Sequence, residues 1–369
     1  MRAVATSGRW IWGLSGLITT AVLVVSGTAL ITSAGQAENA QPQSTATRTV
    51  TVSQPVTSLT VQSYGGSVQV TAGPVRHVEI TETIVYDPQD GGAPAVASAV
   101  PTGPFSASPA GVPSTSGSSL GGPPAVVQSV SGGHLSLAAP ACATSDCSVG
   151  FSVITPSDVT VTATTEGGPV TVSRIAGANL DSGNGSVSAT NIGGPLTVNT
   201  GGGSLRLDGL TGILNVDTGG GPLTAQGIAA TSATITTGGG DAWLAFATTP
   251  GSVMISTDGG SLVLNGLTGT LSADTGGGPL TAQGVAATSA TITTGGGDAR
   301  MTFSAAPDSV MVSTDSGSAQ LAVPGGPYAL NADSDGGPQS VGIATDPDAH
   351  RSITVISGGG PLLVGPAGR

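Results

Sequence analysis

Two cysteines and three histidines carry the most reactive side chains of this sequence. Cys142 and Cys147 stand close together, and a disulfide between them would close a small loop in an exported chain. The histidines His77, His134 and His350 are widely spaced. A metal site needs several converging ligands, so we predict a Cys142–Cys147 disulfide, solvated or turn histidines, and no metal site.

Acidic residues recur beside glycine-rich turns, where a carboxylate can accept backbone hydrogen bonds and cap the turn. Turn capping is the role that we favour for them. The alternative is Ca²⁺ binding, as in nonapeptide β-rolls. The spacing here is about twice nine residues, and the aspartates change sides of the glycines, which argues against that alternative. The residues concerned are Asp181, Asp217, Asp241, Asp258, Asp274, Asp298, Asp315 and Asp335.

The charged residues argue against catalysis and against nucleic-acid binding. The net charge is −12 and the nine basic residues are all arginine, whereas binding to a phosphate backbone requires a basic stripe. Residues 117–121 (GSSLG) have the spacing of a serine-hydrolase elbow but lack its flanking strand and helix. Polysaccharide-cleaving enzymes need carboxylates that converge with a cation. The arginines of the repeats are instead scattered: Arg174, Arg206, Arg300 and Arg351. We predict no catalytic residue, no cofactor and no enzymatic activity.

Trp243 is the only tryptophan outside the N-terminal apolar run. It stands two residues after a glycine-rich turn, in a position that we expect to point outward. An exposed tryptophan can stack on a sugar or anchor a partner. The other interpretation is packing beneath the 91–145 segment or a neighbouring loop. We therefore name Trp243 as a candidate ligand contact.

A glycine-rich turn recurs every 17–23 residues over the second half of the sequence. A long stretch that begins at Asp217 is repeated almost unchanged from Asp274, an offset of 57 residues. A period of about 20 residues indicates a solenoid or another repeat array. The residues that close successive turns are Pro169, Ser186, Ser204, Pro222, Asp241, Ser261, Pro279, Asp298, Ser318, Pro338 and Pro361.

Apolar residues occupy fixed positions around each turn: one, three and five or six residues after it closes, and eight and six residues before. This alternation predicts two short strands per unit, with alternate side chains pointing inward. Units stacked about 4.8 Å apart would bury the apolar columns between two parallel sheets. The predicted fold class is all-β, a parallel β-solenoid of about ten rungs whose corner glycines permit positive φ.

The first part of the sequence contains a segment that could cross a membrane. Arg2 and Arg9 precede an uncharged apolar run of 22 residues from Trp10 to Ile31, and about 20 such residues span a bilayer as a helix. We predict a signal-anchor transmembrane helix over 1–31, with the C-terminal part of the chain outside the cell membrane. The alternative is a cleaved signal peptide and a secreted protein.

Composition divides the remaining sequence into four segments. Residues 32–47 are predicted to be a polar tether, and 48–90 to form short β-strands that cap or start the solenoid. Residues 91–135 are rich in Pro, Ala, Ser and Gly, which is typical of a flexible insertion. Residues 136–364 are predicted to form the solenoid repeat domain.

The order of these features resembles a known family. An SLTVQSYGGSVQVTAG opening is followed by the two cysteines, by FSVITP, by repeated LTV and GG units, and by a late GGPYALNADSDGG. This order resembles the actinobacterial beta-strand-repeat family of unknown function whose members are labelled as candidate adhesins. The resemblance implies a β-solenoid on the cell envelope and implies no catalytic residues.

From these observations we expect a non-catalytic cell-envelope surface protein, an adhesin or interaction scaffold anchored in the membrane. Its expected partner is a cell-wall glycan or another surface protein, and not a nucleic acid. The alternatives are an envelope-sensing regulatory ectodomain and a self-polymerising structural rod, because end rungs would expose unpaired strand edges.

Overall fold

The computed structural model describes residues 29–33, 43–86, 125–139, 147–247 and 251–368, and every regular element in them is a β-strand. The strands that precede the repeats are β1 (Ala29–Ser33), β2 (Ser44–Val52), β3 (Ser58–Ser63), β4 (Val68–Ala72), β5 (Val78–Tyr86), β6 (Val127–Ser131), β7 (His134–Ala138) and β8 (Ser148–Thr155). The strands of the repeats are β9 (Thr160–Thr165), β10 (Val170–Ser173), β11 (Gly177–Ser182), β12 (Val187–Ile192), β13 (Leu196–Thr200), β14 (Leu205–Thr218), β15 (Leu223–Thr237), β16 (Ala242–Phe246), β17 (Ser252–Thr257), β18 (Leu262–Asn265), β19 (Thr268–Asp274), β20 (Leu280–Thr294), β21 (Ala299–Phe303), β22 (Ser309–Thr314), β23 (Ala319–Val323), β24 (Ala329–Asp333), β25 (Gln339–Val341), β26 (Ser352–Ser357) and β27 (Leu362–Pro366).

The repeats wind into two sheets that enclose one hydrophobic core. In each unit, the strand before the glycine-rich turn lies in sheet 1 and the strand after it lies in sheet 2. β14, β15 and β20 are long because each continues around the second corner of the coil and contributes to both sheets. Sheet 1 has the order β6–β7–β3–β9–β11–β13–β14–β15–β17–β19–β20–β22–β26–β24. Sheet 2 has the order β1–β2–β5–β8–β4–β10–β12–β14–β15–β16–β18–β20–β21–β23–β27–β25.

The predicted parallel β-solenoid is confirmed. Eleven units follow one another from Thr160 to Pro366, where the sequence predicts about ten, and strands of adjacent rungs pair in parallel. In ten of these units, the apolar positions one and three residues after the turn and eight and six before it are all buried. The unit of β24 and β25 is the exception, because it lies at the end of the stack and leaves Val341 exposed.

The stacking order differs from the chain order at both ends. The unit β26–β27 lies between β22–β23 and β24–β25, so the last unit in the described chain is an inner layer. At the other end, β3–β4 lies between β7–β8 and β9–β10. In the stack, one rung therefore separates β24–β25 from β22–β23 and another separates β7–β8 from β9–β10, although these units follow one another in the chain.

Antiparallel strands extend the stack beyond β7–β8. β6 pairs with β7 in sheet 1, whereas β5, β2 and β1 continue sheet 2. Residues 44–47 of the predicted tether thus belong to β2, and residues 127–135 of the predicted insertion belong to the β6–β7 hairpin. Residues 87–124, with the GSSLG sequence, lie outside the described residues.

The predicted transmembrane helix is not supported. Residues 1–28 lie outside the described residues, and the last part of the predicted span, from Ala29, belongs to β1. The physical reason is that this backbone pairs antiparallel with β2, which supplies the hydrogen bonds that a helix would make internally. Within the described ranges, no helix has the length and apolar character needed to span a bilayer.

The glycine directly before the residue that closes each turn is required by close packing between rungs, and not by a positive φ. Gly240 has no positive φ, and a Cβ at this position would lie 2.1 Å from the carbonyl oxygen of Gly221 in the neighbouring rung. The middle glycine, Gly239, would meet no atom within 4 Å. Positive φ occurs at the second corner, as at Gly227, and at a few other turn glycines, as at Gly276. The glycines of the repeats that share this approach directly before the residue that closes the turn are Gly168, Gly185, Gly203, Gly221, Gly240, Gly260, Gly278, Gly297, Gly317 and Gly360.

A column of buried hydroxyl groups runs through the core beside these turns. Each hydroxyl donates to the carbonyl oxygen of the glycine three residues later, as Thr237 Oγ1 does to Gly240 at 2.9 Å. The column satisfies its own polar groups and fixes the turn, so burial of these side chains costs little. Its members are Ser63, Thr165, Ser182, Thr200, Thr218, Thr237, Thr257, Thr275, Thr294, Thr314, Ser334 and Ser357.

Candidate binding faces of the solenoid

Because alternate side chains of a strand point to opposite sides, each sheet presents its remaining side chains to solvent in regular columns. We call the outer surface of sheet 1 face 1 and the outer surface of sheet 2 face 2. Neighbouring side chains in a column are about 4.8 Å apart, the spacing of adjacent strands. The chemistry of the two faces differs, and this difference defines the candidate site.

Trp243 lies on face 2, where its strand β16 places it two residues after the turn. Its side chain is 39% exposed, and its Cα is paired with those of Thr224 and Val263 in the adjacent rungs. Its neighbour Val263 is half-buried. Trp243 and Val263 therefore form a small apolar platform near the middle of face 2.

Two arginines flank this platform in the same column of face 2. Arg206 is two rungs from Trp243, through Thr224, and Arg300 is three rungs away on the other side. Neither arginine makes a salt bridge to any residue that the structure describes. Arg300 Nε donates to Gln320 Oε1 at 2.6 Å, which orients the guanidinium along the face.

An open groove extends the column beyond Arg300. Its volume is about 330 Å³, and it is lined by Arg300, Gln320, Leu363 and Pro366 among others. The sequence places Arg206 and Arg300 in outward positions but five rungs apart, and the structure agrees with that spacing. The groove could not be read from the sequence, because it needs β27 beside β23.

Face 1 has the opposite charge. The described strand segments that form sheet 1 carry no arginine or lysine, whereas four of them carry an aspartate: Asp181, Asp217, Asp274 and Asp333. Two methionines are also exposed there, Met254 at 57% and Met311 at 50%. Sequence reasoning missed both, although their separation equals the offset of 57 residues between the long repeats. On face 2, the parallel strands of the repeats carry a single carboxylate, Asp208, which accepts a hydrogen bond from Gln226.

Two aspartates at the turn edge, Asp241 and Asp298, accept hydrogen bonds from the neighbouring rung. Asp241 Oδ1 accepts from Ser261 N at 2.8 Å and from Ser261 Oγ at 2.7 Å, and these bonds lower the pKa of Asp241. Asp298 repeats the arrangement with Ser318, which lowers the pKa of Asp298 in the same way, helped by the nearby Arg300. The alternation of Pro, Asp and Ser at successive turns thus has a structural cause.

Other aspartates cap their own turns, as where Asp274 Oδ1 accepts from Gly276 N at 3.1 Å. Asp258, Asp315 and Asp335 each follow a residue of the buried hydroxyl column, at the start of a turn. In the described ranges, no three His, Cys, Asp or Glu side chains converge as they would to bind a metal ion.

A buried carboxylate lies in the antiparallel strands at the first end of the stack. Glu82 of β5 is 1% exposed, its Oε1 accepts from Gln128 Nε2 of β6, and its Oε2 lies 3.9 Å from Arg48 of β2. Burial raises the pKa of Glu82, opposed by the Gln128 hydrogen bond and by the charge of Arg48. These contacts join sheet 1 to sheet 2 across the end of the core. Sequence patterning missed Glu82 because it occupies an apolar position in an alternating strand.

Cys147, His77 and His134 lie near this end, whereas His350 lies close to β26 near the other end of the stack. Cys147 directly precedes β8 and is disulfide-bonded, whereas Cys142 lies outside the described residues, so the pairing of the two stays a prediction. His134 Nδ1 lies 2.8 Å from Ser58 Oγ in the adjacent rung. His77 and His350 are exposed.

The parallel rungs, the glycine column and the two flat faces define the chain as a β-solenoid of the strand-turn-strand type. Residues 25–360 match the Toastrack DUF4097 family, and the chain therefore belongs to this family. No curated protein matches the chain. Among solved structures, a candidate cell adhesion protein from Clostridium sporogenes is 10% identical, and the match covers 87% of this chain and 99% of that chain. The TM-score of 0.23 is too low for a structural argument.

Proposed function

We propose that this protein is a non-catalytic cell-envelope surface protein that acts as an adhesin or interaction scaffold. The observation that carries the proposal is the pair of broad faces, on which outward side chains repeat at fixed register along the stack. Such a surface suits contact with an extended partner more than conversion of a small substrate, which needs a concave site with converging groups. Membership of a family of unknown function agrees with this proposal.

The proposal includes the location and the partners expected from the sequence. The apolar run from Trp10 to Ile31 supports a membrane anchor or a signal peptide, and either would export the solenoid. A cell-wall glycan or another surface protein is the proposed partner, and the net charge of −12 argues against nucleic acid. An actinobacterial origin is part of the same proposal and rests on the order of motifs alone.

A self-polymerising rod is the second candidate, because β24 and β25 each pair on one side only and could accept a further strand. Two features oppose it. β25 has only three residues, and Asp333 and Asp335 place negative charge beside β24. Short and charged edge strands are the means by which sheets avoid such pairing. An envelope-sensing role has no specific structural observation in its favour.

Retention of the full chain on isolated bacterial envelopes tests the proposed function. Beads that carry the chain are expected to bind cell-wall or envelope-protein preparations, and a fold-disrupting variant should not. Leu223→Asp places a charge in a fully buried column and should unfold the stack. Its control, Thr234→Asp, introduces the same charge at an exposed position of face 1 in the same strand, β15. Equal retention of the wild type and Leu223→Asp, or no retention of either, would contradict the proposal.

A further inference from the structure

Face 2 carries one column of outward side chains that differs from the rest of the surface. We call it the arginine–tryptophan column, and it comprises Arg206, Thr224, Trp243, Val263, Thr281 and Arg300. Building on the proposed function, we infer that this column binds an acidic glycan chain that lies along the stack axis.

The centre of the column supplies a surface for a sugar ring. The exposed indole of Trp243 offers a flat apolar area together with an N–H donor, and Val263 widens the area by one rung. A pyranose ring presents C–H groups on one side and hydroxyl groups at its rim, so it can stack on the indole and still bond to polar neighbours. Thr224 and Thr281 lie on the two sides of this platform and can supply such bonds.

The ends of the column supply positive charge. Arg206 and Arg300 are five rungs apart, about 24 Å at the usual strand spacing. A guanidinium binds a carboxylate with two parallel hydrogen bonds, and neither arginine forms a salt bridge with a described carboxylate, although the charge of Arg300 acts on Asp298. Two acidic groups on one extended ligand could therefore be bound simultaneously, with the central sugars over Trp243.

The charge of the rest of the molecule favours the same surface. Face 1 carries Asp181, Asp217, Asp274 and Asp333, and the described strand segments that form it carry no arginine, so it repels a polyanion. The groove beside Arg300 continues the column toward Leu363 and provides room for further sugar units.

The fully paired strands of face 2 favour a glycan over an acidic peptide. Peptides that bind to sheets usually add a strand to an unpaired edge. Along the column, β14, β15, β16, β18, β20 and β21 are each hydrogen-bonded on both sides, so no edge is open there. Recognition must then use side chains on a flat surface, which suits stacking and charge pairing.

The test measures binding of the full chain to oligogalacturonate, a 1,4-linked uronic-acid oligomer. A methyl-esterified oligomer of equal length is the uncharged control, and polyglutamate represents an acidic peptide. The expected result is salt-sensitive binding of the acidic glycan, with much weaker binding of the ester and of polyglutamate. Trp243→Ala should weaken binding about tenfold or more, and Trp243→Phe should restore part of the loss.

Arg206→Gln and Arg300→Gln should each weaken binding and reduce its salt dependence. Met254→Ala on face 1 is the matched control, because it removes an exposed side chain of similar prominence. Circular dichroism verifies that each variant is folded. Equal binding of the ester, preference for polyglutamate, a loss with Met254→Ala, or no binding of the acidic oligomer would each overturn this inference. Retention on envelopes without binding of the acidic oligomer would leave the proposed function standing and remove only this ligand.

Discussion

Replacement of Gly240 by alanine should test whether glycine is needed for close packing between rungs. A Cβ at Gly240 would lie 2.1 Å from the carbonyl oxygen and 2.6 Å from the carbonyl carbon of Gly221. Ordinary contacts of a Cβ begin at about 3.4 Å, and both obstructing atoms belong to backbone, so no side-chain rotation can relieve the clash. The two rungs must separate at this turn.

The expected cost combines strain with lost hydrogen bonds. Overpacking of a well-packed interior costs about 1–3 kcal/mol. The bonds nearest the clash are Leu223 N to Asp241 O and Gly238 N to Thr218 O, both at 2.8 Å. Each contributes about 1 kcal/mol to stability when made. We expect Gly240→Ala to lower the free energy of unfolding by about 3–5 kcal/mol and the melting temperature by about 10 °C.

Thermal and urea denaturation of the full chain, followed by far-ultraviolet circular dichroism, measures this effect. Gly239→Ala is the matched control, since its Cβ would meet no atom and its φ is not positive. That variant should be neutral or slightly more stable, because alanine restricts the unfolded chain. Equal melting temperatures of the two variants would refute the argument that the turn glycine is a steric requirement.

Three further predictions concern the interior and the cysteines. Thr237→Val keeps the side-chain shape but removes the hydroxyl that bonds to the turn, and should cost about 1 kcal/mol in urea unfolding; the exposed Thr236→Val is its control, and an equal effect would contradict the role of the hydroxyl column. Burial raises the pKa of Glu82 above its unfolded value of about 4.5. The stability that the protonated Glu82 contributes is therefore fully present below the unfolded pKa and is lost as the pH rises through the folded pKa. Glu82→Gln should therefore abolish a fall in stability between acidic and neutral pH, and an unchanged pH profile would show that Glu82 does not cause it. A thiol assay on denatured, unreduced protein should detect no free cysteine, and two reactive thiols would remove the predicted Cys142–Cys147 disulfide.

The fold was predictable because the apolar columns are redundant. Residues such as Leu205 and Leu223 recur at the same distance from every turn, and only stacked parallel rungs bury all of them. The outward position of Trp243 followed from the same register. The glycines were interpreted as positions of positive φ, which is correct for the second corner. It is also correct for a few turn glycines, such as Gly276, whereas Gly240 and its equivalents are required by a contact between rungs that appears only once the stack is built.

Other features could not be read from the sequence for a physical reason. The units of β3–β4, β7–β8, β24–β25 and β26–β27 have the same strand pattern as their neighbours, so alternation alone does not fix their order in the stack. Ala29 and the two residues after it form strand pairs although they end a long apolar run, because the local pattern of an apolar segment fits either a helix or a strand. Glu82 was passed over since no pairing of β5, β2 and β6 could be foreseen.

The displaced order of the last two units has a consequence for synthesis by the ribosome. β24 and β25 are translated before β26 and β27, yet among the described strands they pair with those later strands alone. β24 and β25 therefore cannot join the stack until β26 and β27 have been synthesised. Until then, the edge of β22 and β23 to which β26 and β27 will pair stays open. If β24 and β25 paired with β22 and β23 first, Leu330 would continue the inward apolar column in place of Ile353. The result would be a misfolded stack in which the last two layers are exchanged.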